Sequence, residues 1–248
     1  AYPMPVQTAT ETEAVYLFNA DTGKTILSQN ADQQKYVASL TKLMTALLLV
    51  ESGKDLNGEV TVPTDLTQEF KDIQNANGTT IGLRIGETVR RIDLLNAMLI
   101  VSANDAASVI AWDVAGSVVG FVQQMNARAA ELGMEHTTFH NACGLDTEGH
   151  LSTARDVAIM SRTILNTCPE VLHYTGIWTD TLRGGQTQLV NTNKLLRRYN
   201  GITGLKTGTT GGAGVCITAS ATRDGLNLIA VVLGASSSKE RFEAATTL

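Results

Sequence analysis

Apolar positions change their spacing twice along the chain, which divides it into a strand-rich start, a helix-rich middle and a strand-rich end. Residues 14–28, AVYLFNADTGKTILS, alternate around an Asp-Thr-Gly turn and predict a β-hairpin. Residues 214–236 hold two β-rich runs joined by Asp224-Gly225, a typical hairpin turn. We therefore predict an α+β fold with one antiparallel sheet built from both termini, although the spacing alone does not establish that the two groups of strands share a sheet.

Between these strands, apolar residues recur at helical spacing. Residues 39–52 carry apolar side chains around most of the helix, which predicts a helix in the interior of the protein. Three further segments share the helical spacing: residues 89–102, 104–134 and 153–166. Residues 52–90 are polar and glycine-rich and predict loops and short elements. We expect a single domain, residues 1–248, with a helical subdomain at roughly 60–190 inserted between the strands.

The composition is that of a folded, soluble protein. Of the 248 residues, 43% are hydrophobic and 17% are charged, and the formal net charge is −5. Phosphate binding requires a basic surface, so this acidic balance argues against a nucleic-acid partner.

Three features bear on the cellular compartment. No apolar run reaches the roughly 18–20 residues that a membrane-spanning helix requires. The first sixteen residues, AYPMPVQTATETEAVY, lack the basic and apolar segments of a signal peptide, which predicts a cytoplasmic protein or the mature form of an exported one. Cys143, Cys168 and Cys216 are too few and too scattered for a disulfide framework or a zinc cluster, and we predict buried free thiols.

Ser39 and Lys42 form an S-x-x-K motif at the start of the predicted interior helix. Residues three apart on a helix share a face, so the two side chains are expected to meet. Burial disfavours the charged ammonium, and a neutral lysine amine is the base that a serine nucleophile needs. Considered alone, the motif is better explained by a helix cap at Ser39 and a Lys42 ammonium that reaches the surface.

Two further motifs come later in the chain: Ser102-Ala-Asn104 and Lys206-Thr207-Gly208. The first follows an apolar run at a predicted turn between helices, where it suits an ordinary cap. The second lies in residues 201–214, GITGLKTGTTGGAG, in which Lys206 is the single charge. A single ammonium in a glycine-rich segment, whose backbone allows close approach, favours an extended anionic ligand.

Single matches to these motifs mean little, because S-x-x-K recurs at Ser236 and Lys239 and S-x-N recurs at Ser28 and Asn30. The ordered set of S-x-x-K, S-x-N and K-T-G is the signature of penicillin-recognising serine enzymes. Over nearly its whole length the sequence resembles the catalytic domain of low-molecular-mass D-alanyl-D-alanine carboxypeptidases. The similar segments are AVYLFNADTGKTILSQNADQQKYVASLTKLMTALLLVE, IVSANDAA, GLDTEGHLSTARDVAIMSRTIL and ITGLKTGTTGGAG.

The resemblance implies a β-lactamase or penicillin-binding-protein-like fold and a serine peptidase that removes the terminal D-alanine of peptidoglycan stem peptides. Ser39 would attack the carbonyl between the two D-alanines, and Lys42 would take its proton. Ser102 would relay that proton toward the leaving amine, and Asn104 would bind the substrate amide while orienting Lys42. The backbone N–H groups of Ser39 and Thr209 would form the oxyanion hole.

The resemblance also implies a binding mode and a location. Lys206 and Thr207 would bind the terminal carboxylate of a peptide added as a strand, and Gly208 would keep a side chain out of its path. β-Lactams would act as covalent inhibitors, with no cofactor and no metal. The enzyme would work outside the cytoplasmic membrane, as a mature form whose usual C-terminal β-rich domain and membrane anchor are absent from this chain.

Some features depart from the family pattern or fit other functions. Thr209 stands where many relatives carry histidine, and Thr192 stands where some carry an arginine near the carboxylate site; either change would weaken substrate binding or alter peptide preference. A class A β-lactamase would use Glu148 to activate water, and a β-lactam sensor or scaffold would be acylated without turnover. A zinc hydrolase would use His136 and His140, which lie four residues apart.

Overall fold

A five-stranded antiparallel sheet forms the centre of the protein, for which a computed structural model describes residues 13–247. Its strands are β1 (Ala14–Asn19), β2 (Thr25–Gln29), β7 (Ile202–Thr210), β8 (Gly214–Arg223) and β9 (Leu226–Ala235), in the spatial order β2-β1-β9-β8-β7. β1 lies antiparallel to β9, with Ala14 opposite Leu233 and Asn19 opposite Leu228. The predicted α+β fold, with one sheet built from both ends of the chain, is confirmed.

Within residues 13–247 there are eight α-helices. They are α1 (Lys42–Glu51), α2 (Thr67–Asn75), α3 (Arg91–Ile100), α4 (Asn104–Ala115), α5 (Val118–Leu132), α6 (Ala154–Thr167), α7 (Val171–Thr175) and α8 (Ser238–Thr247). α1 contacts α3, α4, α5 and α6, and most of its residues are buried. The predicted interior helix is therefore confirmed. α6 packs on β1 and β9, and α8 packs on β8 and β9.

The middle of the chain holds more elements than the spacing predicts. Residues 52–90 contain helix α2 and a hairpin of β3 (Glu59–Thr61) and β4 (Thr88–Arg90). A second hairpin joins β5 (Thr179–Leu182) and β6 (Thr187–Val190). Within α2 only Ile73 is fully buried, so this short exposed helix has too few apolar residues to show a period.

The helical spacing of residues 104–134 predicts one segment, but the structure breaks it into α4 and α5. Gly116 ends α4 in the left-handed conformation, with φ of 77°, and the Ser117 side chain caps α5 by accepting a hydrogen bond from the Gly120 N–H. Glycine followed by a capping serine is a stop and start signal that apolar spacing alone does not register.

No single helix within residues 13–247 is long and apolar enough to cross a membrane; α4 and α5 pass that test of length and composition only as a pair, bent by 84°. Cys143, Cys168 and Cys216 are buried free thiols, as predicted. The signal-peptide prediction falls largely on residues 1–12, which lie outside the described residues, and the subdomain bounds stay a prediction.

Candidate active site

Ser39 lies in a single turn of 3₁₀-helix, Ala38–Thr41, that leads directly into α1. No side chain caps either helix, so the alternative of Ser39 as an N-cap is wrong. Ala38 is held in the left-handed region at φ of 51°, a conformation that costs a non-glycine residue about 1–3 kcal/mol and that is common at functional sites. A neighbouring loop packs closely against this turn at Gly144. A Cβ at that position would lie 1.8 Å from the Ala38 carbonyl oxygen, so only glycine fits there.

Lys42 is completely buried beneath Ser39, so the alternative of a lysine that reaches the surface is also wrong. Its Nζ donates to Ser39 Oγ at 2.6 Å, to Asn104 Oδ1 at 2.6 Å and to the Cys143 carbonyl oxygen at 2.7 Å. All three ammonium hydrogens thus have partners, which offsets part of the cost of burying this side chain.

The same three contacts also suit the neutral amine. Burial lowers the pKa of Lys42 from 10.5 to about 8, and the Cys143 thiol and Asp105 carboxylate oppose this only in part. In the neutral form the amine keeps two hydrogens for Asn104 Oδ1 and the Cys143 carbonyl, which can only accept. Its lone pair is then directed at Ser39 Oγ, so the geometry prepares Lys42 to take the serine proton.

Ser102 lies in the turn between α3 and α4, and Asn104 is the first residue of α4. Ser102 is left-handed, with φ of 65°, and its hydroxyl forms no hydrogen bond within residues 13–247 although it lines the cleft above Lys42. The N-cap of α4 is Ala103, which makes no side-chain cap, so the capping interpretation of this motif is wrong as well. The Asn104 backbone N–H donates to the Thr79 carbonyl at 2.8 Å, which fixes the turn against the loop after α2.

Edge strand β7 supplies the third motif. Lys206 is 1% exposed and donates to the Thr207 carbonyl oxygen at 2.7 Å. Burial, and then the nearby charges of Lys42 and Arg241, hold the pKa of Lys206 well below its usual range. A Cβ on Gly208 would lie 2.6 Å from the Ser39 backbone nitrogen, so glycine lets the edge of the sheet abut the Ser39 turn.

One cleft of about 540 Å³ collects these motifs between the edge of the sheet and the helical region. It is lined by six of the eight predicted site residues: Ser39, Ser102, Asn104, Thr207, Gly208 and Thr209. Lys42 and Lys206 are buried behind this lining. The structure thus brings all three motifs to one place, with the two lysine side chains buried behind the lining of the cleft.

Sequence reasoning missed Arg241, a residue of α8 that lines the same cleft. Its Nη1 donates to Thr209 Oγ1 and to the Cys216 carbonyl oxygen, each at 3.4 Å, and its buried Nε has no partner within residues 13–247. Burial lowers the pKa of Arg241 to about 10, so it stays cationic at neutral pH. No motif marks it, because its contacts arise only when α8 folds back on the sheet.

Thr192 lies beside the carboxylate site predicted from the sequence. Its hydroxyl hydrogen-bonds to the Thr207 hydroxyl, and its backbone N–H donates to the Ile100 carbonyl at 3.2 Å. Arg241 therefore brings a guanidinium to the cleft, whereas position 192 contributes only a hydroxyl.

The positions of the residues predicted for a zinc hydrolase and for a class A β-lactamase do not support either function. His136 and His140 are exposed and lie outside any helix, so they do not pair on one helix face as the zinc alternative supposes. Across residues 13–247 no three His, Cys, Asp or Glu side chains are placed to hold a metal ion. Glu148 is exposed in a turn and does not line the cleft that contains Ser39.

Comparison with known proteins extends over most of the chain. Residues 3–237 match the family described as D-alanyl-D-alanine carboxypeptidase. The D-alanyl-D-alanine carboxypeptidase DacF of Bacillus subtilis is 39% identical over 236 residues, which are 94% of this chain and 60% of that protein. The D-alanyl-D-alanine carboxypeptidase DacC of Escherichia coli is 35% identical over 94% of this chain and 58% of that protein. The chain thus spans about 60% of the length of these curated relatives.

Solved structures agree with the fold described above. Penicillin binding protein 6B from Escherichia coli is 34% identical with a TM-score of 0.90, covering 100% of this chain and 78% of that one. Penicillin-binding protein D2 from Listeria monocytogenes, solved in a cefotaxime-bound form, is 33% identical with a TM-score of 0.78, covering 93% of this chain and 92% of that one. These likenesses confirm the penicillin-binding-protein-like fold expected from the sequence.

Proposed function

This chain belongs to the D-alanyl-D-alanine carboxypeptidase family, and from that premise we propose that it removes the terminal D-alanine of peptidoglycan stem peptides through an acyl-Ser39 intermediate. The observation that carries this proposal is the buried Lys42 amine, which contacts Ser39 Oγ at 2.6 Å and is held by two acceptors on its other sides. β-Lactams, as cyclic acyl donors, acylate the same serine.

The reaction begins with acylation of the serine. Neutral Lys42 takes the hydroxyl proton as Ser39 Oγ bonds to the carbonyl carbon between the two D-alanines. As the tetrahedral intermediate collapses, the bond from carbon to nitrogen breaks, and Ser102 passes the proton to the leaving amine. Water then adds to the acyl-Ser39 ester, which releases the shortened peptide and restores the hydroxyl. No group outside this chain, its substrate and water is required.

Two sets of donors bind the substrate. The backbone N–H groups of Ser39 and Thr209 stabilise the oxyanion, a type of contact worth about 3–4 kcal/mol of barrier per donor. Lys206, Thr207 and Arg241 bind the terminal carboxylate. Burial, and then repulsion from Lys42 and Arg241, lower the pKa of Lys206, and a bound carboxylate would oppose this by stabilising the protonated lysine.

Substrate and partners follow from this chemistry. The peptide lies along edge strand β7, whose outer side is free of a further strand within residues 13–247. Peptidoglycan lies outside the cytoplasmic membrane, so we propose that the enzyme acts there.

The test is D-alanine release from a peptide ending in D-Ala-D-Ala, with and without a metal chelator, together with mass analysis of the protein after penicillin treatment. We expect chelator-insensitive release and a penicillin adduct on Ser39. An adduct without release would point to a sensor, and rapid penicillin turnover to a β-lactamase. Loss of release in chelator would point to a zinc hydrolase.

The pH dependence of acylation follows from the lowered pKa of Lys42, which is about 8. Below pH 8 the amine is protonated and cannot take the serine proton, so the acylation rate should fall about tenfold per pH unit and should level off above pH 8. An ordinary lysine would extend this rise to about pH 10.5. The measurement is the second-order rate of penicillin acylation between pH 5.5 and 10.

A matched variant separates the contributions of Lys42 and Lys206 to the pH profile of acylation. Lys206 loses its proton more readily than usual, so weaker carboxylate binding should bring a descending limb at high pH. Lys206→Arg keeps its charge throughout this range, so it should lose the descending limb and retain the rise centred near pH 8. A rise that continues beyond pH 10 in both proteins would contradict the role of Lys42 as a neutral base.

A further inference from the structure

Asp146 contributes the only carboxylate among the described residues that line the cleft. Its Oδ1 accepts a hydrogen bond from Thr210 Oγ1 at 2.7 Å, and its Oδ2 accepts one from the Gly212 N–H at 2.8 Å. A Cβ on Gly212 would lie 2.6 Å from Asp146 Oδ2, so the glycine permits this close approach. The carboxylate is therefore held in a fixed position at the end of strand β7 although it is exposed to solvent.

Among the described residues, the Asp146 carboxylate is not neutralised by a direct ion pair. Both of its hydrogen-bond donors are neutral groups. A carboxylate offers about four acceptor positions, so two remain for a ligand. The Lys206 ammonium thus lies beside Thr207 and the Asp146 carboxylate beside Thr210, with the Arg241 guanidinium at Thr209 between them.

The distance between Thr207 and Thr210 fits a short peptide. Thr207 and Thr210 are three residues apart on one strand, which is roughly 10 Å at about 3.3 Å per residue. A peptide laid along β7 advances at the same rate. With its terminal carboxylate at Thr207 and its scissile carbonyl at Ser39, the residue before the D-Ala-D-Ala pair lies beside Thr210. An amino group on the side chain of that residue can then reach Asp146.

We propose that Asp146 binds the side-chain ammonium of the residue that precedes D-Ala-D-Ala, so that the enzyme selects stem peptides with a free amino group at this position. This assignment rests on the proposed function and names the substrate class of the same cleft. Because the carboxylate is solvent-exposed, the pair discriminates modestly, by about two- to fivefold in kcat/KM, and less at high salt.

The test compares two peptides that differ only in charge: Nα-acetyl-L-Lys-D-Ala-D-Ala and its Nα,Nε-diacetyl form. Wild-type protein should release D-alanine about two- to fivefold more efficiently from the peptide with the free ammonium. Asp146→Asn should bring that ratio to about one, because its amide can still accept from the Gly212 N–H and donate to Thr210 Oγ1. Asp146→Lys should invert the ratio.

Glu148→Gln is the matched control, since it removes an exposed carboxylate two residues away that does not line the cleft. It should keep the wild-type preference. Equal losses for both peptides in Asp146→Asn would show that Asp146 only supports the turn, and a wild-type ratio of one would overturn the assignment directly. Release from neither peptide would instead refute the proposed function, and the substrate assignment with it.

Discussion

Replacing Ser39 by alanine should abolish covalent labelling by penicillin and reduce D-alanine release by about 10⁴- to 10⁶-fold, the range seen when a catalytic nucleophile is removed. Among the described residues, Ser39 has the one hydroxyl that hydrogen-bonds to Lys42 Nζ, so no other hydroxyl is positioned to give its proton directly to that amine. Labelling is measured by the mass of the intact protein after exposure to penicillin, and release by a coupled assay for free D-alanine.

Ser236→Ala is the control, because Ser236 begins a second S-x-x-K pattern at an exposed position outside the cleft. It should leave labelling and release unchanged. The Ser39→Ala protein should unfold at nearly the wild-type temperature, since the one hydrogen bond of the Ser39 side chain among the described residues is that from Lys42. Retention of a stoichiometric penicillin adduct in Ser39→Ala would place the nucleophile elsewhere.

Replacing Lys42 by methionine should reduce the rate of penicillin acylation by about 10²- to 10⁴-fold, the usual contribution of a positioned base. Methionine fills a similar volume without the amine, but Asn104 Oδ1 and the Cys143 carbonyl then lose their donor. Relief from burying the amine opposes that loss, so we expect a net destabilisation of about 1–3 kcal/mol. Stopped-flow acylation and urea unfolding measure the two effects separately.

Lys42→Arg distinguishes proton transfer from simple charge. Arginine keeps a cation beside Ser39 but stays protonated at every accessible pH, so it cannot take the serine proton. We expect this variant to acylate as slowly as the methionine variant. Acylation within tenfold of wild type would mean that position 42 acts through its charge, and the neutral-base mechanism would have to be abandoned.

The sheet and the central helix were predictable because the spacing of their apolar residues reflects which side chains are buried. Strands β8 and β9 are joined by Asp224-Gly225, and α1 is apolar on nearly all sides. Helix α2 was missed because it buries so little, and the break at Gly116 was missed because apolar spacing continues across it. Spacing therefore detects elements by their contact with the core and says little about exposed helices or about turns inside the core.

The candidate site divides in the same way. The motif residues, such as Ser39 and Lys42, were identified because their order along the chain is distinctive. The carbonyl of Cys143, which completes the surroundings of Lys42, has no sequence signature, because every residue carries a carbonyl. Arg241 and Asp146 were missed for a related reason: each reaches the cleft through the tertiary fold, and neither belongs to the three short motifs, although Asp146 lies in one of the segments similar to the family.

The pairing of β1 with β9 has a consequence for how the active protein is made. Ala14 and Leu233 lie opposite each other although nearly the whole chain separates them, and the cleft draws Ser39 from the first part of the sequence and Arg241 from the last. Pairing between such distant segments closes a long loop before it gains stabilising contacts, which slows folding. A growing chain therefore cannot complete the cleft until β9 and α8 have been synthesised and have packed against the elements that precede them.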